Sequence, residues 1–186
     1  HREIEVRFLE IDKEALLAKL RALGAEDLGE DLLEERIVYD KDLAWRDDPA
    51  THKILRIRTR KGKTTLTYKH RIELTADGTE EIEFEVSSID AAEALLNRLG
   101  YVAYRHQQKK RHTFILDGTV VDIDTWPRIP TYVELEGESE IALKSAAEKL
   151  GFDWKRVEMR SPRTVIEEVY NIPVGNMRWF TFDRFE

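Results

Sequence analysis

The sequence predicts an α+β fold: an eight-stranded antiparallel β-barrel forming a tunnel, with amphipathic helices packed outside. Three observations carry this. Eight segments alternate apolar and polar residues with a period of two, most of them are joined by short hairpin connections, and three further segments carry a helical apolar stripe.

The first strand spans residues 3 to 9, where Glu3, Glu5 and Arg7 alternate with Ile4, Val6 and Phe8. A helix follows at 12 to 23, with Asp12 as N-cap, Ala15, Leu16, Leu20 and Leu23 on one stripe, and Gly24 as the stop. Strands are expected at 33 to 40, 53 to 60, 64 to 70 and 80 to 86. Lys61-Gly62-Lys63 closes the hairpin between the second and third of these, and the turn signal at 76 to 79 lies inside the next connection. The second helix, 88 to 101, is capped by Ser88 or Asp90, packs through Leu95, Leu96 and Leu99, and ends at Gly100. Strands at 104 to 116, 119 to 125 and 131 to 137 come next, the first two joined by Asp117-Gly118. A third helix at 139 to 151 has Ser139 as cap and Ile141, Leu143 and Leu150 as apolar positions, and a weaker one follows near 163 to 170. The tail, 171–186, carries four aromatic residues after Asn176 and is expected to dock on the body. Residues 1–186 are read as a single domain with this tail.

Composition narrows the function. The 186 residues hold 30 Lys and Arg against 37 Asp and Glu, a net charge of -7, which argues against a general nucleic-acid binder. With no cysteine there is no disulfide, thiolate metal site or cysteine nucleophile, and a cytoplasmic location is expected. No apolar run approaches the roughly 20 residues that span a bilayer, so no membrane partner is expected. Outer strand faces and the aromatic tail offer apolar surface for a homodimer.

The charges themselves are segregated. On one face of its strand each segment keeps nearly one sign: Arg56, Arg58 and Arg60; Lys69 and Arg71; Glu81, Glu83 and Glu85; Lys109 and Arg111; Asp122 and Asp124; Glu134 and Glu136. A solvated face would mix signs, because adjacent like charges are unfavourable. Acid-only strands point to a hard-metal site of carboxylate oxygens, and basic ones to an anion site. If the helices cover the apolar faces, the charged faces line a polar lumen; the competing arrangement is an open sheet with its charges facing solvent. Five cations, Arg56, Arg58, Lys69, Lys109 and Arg111, suit a polyphosphate, with Mg2+ or Mn2+ on the acids.

Taken in order, Glu3-Ile4-Glu5-Val6-Arg7, Leu55-Arg56-Ile57-Arg58, Leu66-Thr67-Tyr68-Lys69, Glu81-Ile82-Glu83, the Leu95 to Tyr101 helix end, Lys109 to Phe114, Ile123 to Trp126 and Val133 to Glu136 resemble the CYTH superfamily, the triphosphate tunnel metalloenzymes. That resemblance implies a tunnel binding a triphosphate-bearing small molecule with divalent metal. By matching position, Glu3, Glu5, Asp124, Glu134 and Glu136 are the metal-side acids, with Asp122 beside them. Arg56, Arg58, Lys69, Lys109 and Arg111 are the phosphate clamp, and Glu81 and Glu83 order it or contact metal. Arg7 and Glu134 are the candidate catalytic residues. Arg7 departs from the family's usual lysine; phosphate binding is expected to survive this change, and the change bears on hydrolysis and substrate preference.

The resemblance implies hydrolysis of tripolyphosphate or of a nucleoside or organic triphosphate; a class IV type adenylyl cyclase and a non-catalytic binding module are the alternatives. The Gly62-Lys63-Thr64 stretch imitates a P-loop end but lacks the earlier glycine, since position 57 is Ile57.

Overall fold

A computed structural model describes residues 4–48, 53–71 and 79–186. It holds an antiparallel sheet with helices, the α+β class the sequence predicts. The strands are β1 (Ile4–Phe8), β2 (Glu26–Tyr39), β3 (Lys53–Arg60), β4 (Lys63–Arg71), β5 (Thr79–Val86), β6 (Val102–Leu116), β7 (Thr119–Thr125), β8 (Tyr132–Gly137) and β9 (Trp179–Phe180). The helices are α1 (Lys13–Ala22), α2 (Ala44–Asp47), α3 (Ile89–Arg98), α4 (Glu140–Leu150) and α5 (Pro162–Glu168). Hydrogen-bonded neighbours follow the order β1-β8-β7-β6-β2-β3-β4-β5, and β9 pairs with β6. Among the described residues no helix is long and apolar enough to cross a membrane.

The chain divides into two compact units, and β2 and β6 contribute residues to both. Unit 1 comprises the described residues within His1–Asp31 together with Lys110–Ile172. Its sheet pairs β1 with β8, β8 with β7 and β7 with β6, all antiparallel. The apolar face, including Val6, Phe8, Phe114, Val121, Ile123, Val133 and Leu135, is covered by Leu16, Leu17 and Leu20 of α1 and Leu143, Ala146 and Leu150 of α4. Asp12 and Ser139 cap these two helices by accepting from the backbone N–H groups of Ala15 and Ala142. The opposite face of the same sheet carries the charges.

Unit 2 comprises Leu32–Lys109 and Pro173–Glu186. Here β2, β3, β4 and β5 form successive antiparallel pairs. The apolar face packs Val38, Leu55 and Ile57 against Ala92 and Leu96 of α3. Ser88, one of the two expected caps, accepts from Ala91 N–H. The tail enters this unit through β9, which runs parallel to β6 at His106 and Gln107.

Helix stripes are narrower than their patterns suggest. Leu95 and Leu99 are 59% and 65% exposed, and Ile141 is 82% exposed, so these positions do not pack as expected. In α3 the buried line runs through Ala92 and Leu96, one turn apart, while Leu99 lies past the last helical residue, at the C-cap. The β2 strand begins at Glu26, seven residues before the alternating pattern becomes readable, and the four-residue α2 carries no pattern that predicts it.

Candidate functional site

The charged face of unit 1 is built by register. Arg7 sits opposite Glu134 and Glu5 opposite Glu136 across β1 and β8. Asp122 sits opposite Glu134 across β7 and β8, and Arg111 opposite Asp124 across β6 and β7. Period-two pleating therefore gathers two basic and five acidic side chains on one surface. Five of the seven are shielded from bulk water: Asp124 is 0% exposed, and Arg7, Arg111, Asp122 and Glu134 are buried too. Glu136 is half-buried and Glu5 exposed.

Arg111 organises three of the acids. Its Nε and Nη2 donate to the two oxygens of Asp124 at 2.6 and 2.7 Å, Nη2 reaches Glu134 at 3.2 Å, and Nη1 lies 2.6 Å from Asp122. Thr113 Oγ1 donates to the second oxygen of Asp122 at 2.5 Å. Burial on its own works against the Arg111 charge, but Asp124, Glu134 and Asp122 outweigh it and hold the guanidinium well above its usual range. Burial pushes Asp122 up, an effect that Arg111 and Thr113 offset only in part. Burial, reinforced by Asp124 and Glu134, likewise raises the Tyr132 hydroxyl, which accepts from Trp126 Nε1 at 2.9 Å.

Arg7 enters the same wall from β1. Its Nη2 pairs with Glu5 and, at 2.9 Å, with Glu134, while Nη1 donates to the Arg160 carbonyl at 2.8 Å. Glu5, Glu134 and Glu136 each place a carboxylate oxygen within 4.8 Å of the others. Hard oxygen donors at that mutual spacing suit a divalent metal ion. Glu3, the sixth expected acid, lies outside the described residues.

Unit 2 presents the opposite balance. Glu35 of β2 is 2% exposed and sits opposite Arg58. Arg58 Nε donates to it at 2.6 Å, Arg56 Nη1 lies 3.7 Å away, and Gln107 Nε2 donates at 2.5 Å. Burial would raise this carboxyl, yet the charges of Arg58, Arg56 and Lys109 and the Gln107 hydrogen bond hold it far below the usual range. On β4 and β5, Lys69 pairs with Glu81 at 3.0 Å and Thr67 donates to Glu83 at 2.5 Å. Both glutamates are exposed.

The structure thus brings Arg56, Arg58 and Lys109 together around Glu35 and sets Lys69 against Glu81. It places Arg111, read from sequence beside the cations, among the acids. Glu35 is the residue that sequence reasoning missed. It shares its strand face with Leu33 and Ile37, so no charged alternation marks it; the signal available was one acid on an otherwise apolar parity.

The sequence model of the CYTH domain matches residues 1–169. No curated protein matches the chain. Among solved structures, a conserved hypothetical protein from Pyrococcus furiosus is 25% identical with a TM-score of 0.69, covering 86% of this chain and 97% of its own. A candidate adenylate cyclase from Vibrio parahaemolyticus is 17% identical with a TM-score of 0.73, covering 90% and 98%. A candidate adenylyl cyclase from Hippeastrum with a dominant triphosphatase activity is 20% identical with a TM-score of 0.60, covering 90% and 96%.

Proposed function

The chain belongs to the CYTH domain family, and from that premise we propose that it is a metal-dependent hydrolase of a triphosphate-containing substrate, either inorganic tripolyphosphate or a nucleoside or organic triphosphate. The observation that carries this reading is the division of charge between two polar surfaces. In unit 1, five carboxylates, Glu5, Asp122, Asp124, Glu134 and Glu136, stand against two guanidiniums, an excess of negative charge suited to a divalent cation. In unit 2, Arg56, Arg58 and Lys109 act on the buried carboxylate of Glu35, an excess of positive charge suited to phosphate oxygens. The Hippeastrum protein offers a precedent for triphosphatase activity on this fold.

In this reading Glu5, Glu134 and Glu136 hold Mg2+ or Mn2+, with Asp122 and Asp124 as their neighbours and Glu3 assigned to the same role by its position in the family pattern. The ion, when bound, draws charge from phosphoryl oxygens and lowers the pKa of an attacking water. Arg56, Arg58, Lys69 and Lys109 grip the phosphate chain, and Glu81 and Glu83 order Lys69 and Thr67. Glu35 fixes Arg58 and Arg56 so that little rotamer freedom is lost when phosphate arrives. Arg111 holds Asp122, Asp124 and Glu134 in place through its forked contacts, and Arg7 adds fixed positive charge beside Glu134.

The test is product analysis after incubation with tripolyphosphate, ATP or thiamine triphosphate and Mg2+ or Mn2+. Free phosphate is expected. Cyclic AMP with pyrophosphate from ATP assigns a cyclase instead, and no product with any substrate assigns a binding module. Glu134→Gln is expected to lower metal-dependent turnover about 100-fold or more with the fold intact; retained turnover displaces the metal from this wall.

A further inference from the structure

Arg7 lies where the acids gather. Its Nη2 pairs with Glu5 and Glu134, which are two of the three carboxylates whose oxygens lie within 4.8 Å of one another. The side chain is 5% exposed, and its Nε is buried with no hydrogen-bond partner. A guanidinium seated between two carboxylates uses the same oxygen lone pairs that a divalent ion takes as ligands. The orphaned Nε marks this seat as incompletely satisfied.

The same side chain has a second anchor. Nη1 donates to the Arg160 carbonyl at 2.8 Å, and the backbones of Arg7 and Glu158 exchange two hydrogen bonds of 2.8 Å. The Val157 to Arg160 segment is fixed in turn by Arg160, which donates to Glu158 and Glu168 at 2.7 and 2.9 Å. A lysine ammonium, compact and without a planar fork, cannot reproduce this three-point placement.

We propose that Arg7 is a built-in counter-cation that competes with the divalent ion for Glu5 and Glu134, so that this chain binds metal more weakly than the same site without the guanidinium. The inference rests on the metal-binding reading above and adds which residue sets the affinity. When the ion binds, Nη2 gives up Glu5 and Glu134 while Nη1 stays on the Arg160 carbonyl. The competition is reciprocal, as linkage requires of two cations sharing one set of ligands.

The experiment is Mn2+ binding to the full chain, followed by loss of the free-ion EPR signal, for wild type, Arg7→Met and Arg7→Lys, with circular dichroism as the fold control. Arg7→Met is expected to bind Mn2+ at least tenfold more tightly than wild type, and Arg7→Lys to fall between the two. Equal or weaker binding by a folded Arg7→Met overturns the proposal while leaving the metal site standing. If Arg7→Met does not fold, Arg7→Lys decides: tighter binding than wild type supports the competition, and equal or weaker binding overturns it. If wild type and both variants fail to bind Mn2+, the metal-binding reading falls and this inference falls with it.

Discussion

Glu35 concentrates what unit 2 does electrostatically. A carboxylate buried to 2% exposure carries a large desolvation penalty unless cations and donors surround it, and Arg58, Arg56, Lys109 and Gln107 do so. Replacing it by glutamine keeps the shape and leaves the cations uncompensated. Removing one member of a buried pair costs about 3–5 kcal/mol; Arg56 and Arg58 are part-exposed, so a loss near 3 kcal/mol at pH 7, read from urea unfolding, is expected for Glu35→Gln. The sign of the pH dependence follows from the direction of the shift. A folded pKa depressed below the unfolded value of about 4.3 contributes stability above that value and loses it as pH falls toward the folded one. The wild-type advantage over Glu35→Gln should therefore be flat around neutral pH and shrink once the pH drops below about 4.3; an advantage that grows on acidification contradicts the assignment. Sequence alternation exposed Arg56 and Arg58 because their neighbours Leu55 and Ile57 are apolar, whereas Glu35 was hidden by its own apolar parity.

At the scale of elements, the two hairpins that set the charged faces depend on left-handed turn pairs. Lys61 and Gly62 have φ of 51° and 74°, and Asp117 and Gly118 have 51° and 82°, the geometry of two-residue hairpins whose twist matches that of their strands. Arg60 pairs with Lys63 across the first and Leu116 with Thr119 across the second. Register matters here because a slip by one residue would send Asp122 and Asp124 to the apolar face and Val121 and Ile123 to the charged one. A Cβ at Gly118 meets nothing within 4 Å, so the cost of Gly118→Ala is conformational alone, about 1–2 kcal/mol, measurable as a lower Tm with an unchanged far-UV spectrum. Turn chemistry and alternation made both hairpins legible in the sequence. The first half of β2 was not, since Glu26 to Leu32 alternates in no period and is held by side-chain pairs such as His112 with Asp27 at 2.6 Å and Lys13 with Glu30 at 2.5 Å. Such pairs join residues far apart in the chain, and no local pattern announces them.

At the scale of the whole chain, the family match ends at residue 169 while unit 2 continues into Pro173–Glu186. The tail is not an ornament on that unit. Phe180 is 0% exposed, Tyr104 donates to the Asn176 carbonyl at 3.2 Å, and His106 N–H donates to the Arg178 carbonyl at 2.8 Å. A run of hydrogen bonds then leads from the tail to the basic cluster. Arg105 Nη1 donates to the Val174 carbonyl at 2.9 Å, Arg105 Nε to Gln107 at 2.8 Å, and Gln107 to Glu35, which accepts from Arg58. Undocking the tail removes the carbonyl that orients Arg105, and with it one support for Gln107 and Glu35. Phe180→Ala is expected to lower stability by about 3–5 kcal/mol through loss of a fully buried aromatic ring. It is also expected to reduce the rise in Tm that tripolyphosphate gives the wild type, because a clamp that must be ordered on binding binds less tightly. A full ligand-induced rise in the folded variant would mean that the tail stabilises unit 2 without reaching the basic cluster, and the hydrogen-bonded path through Arg105 would then carry packing alone.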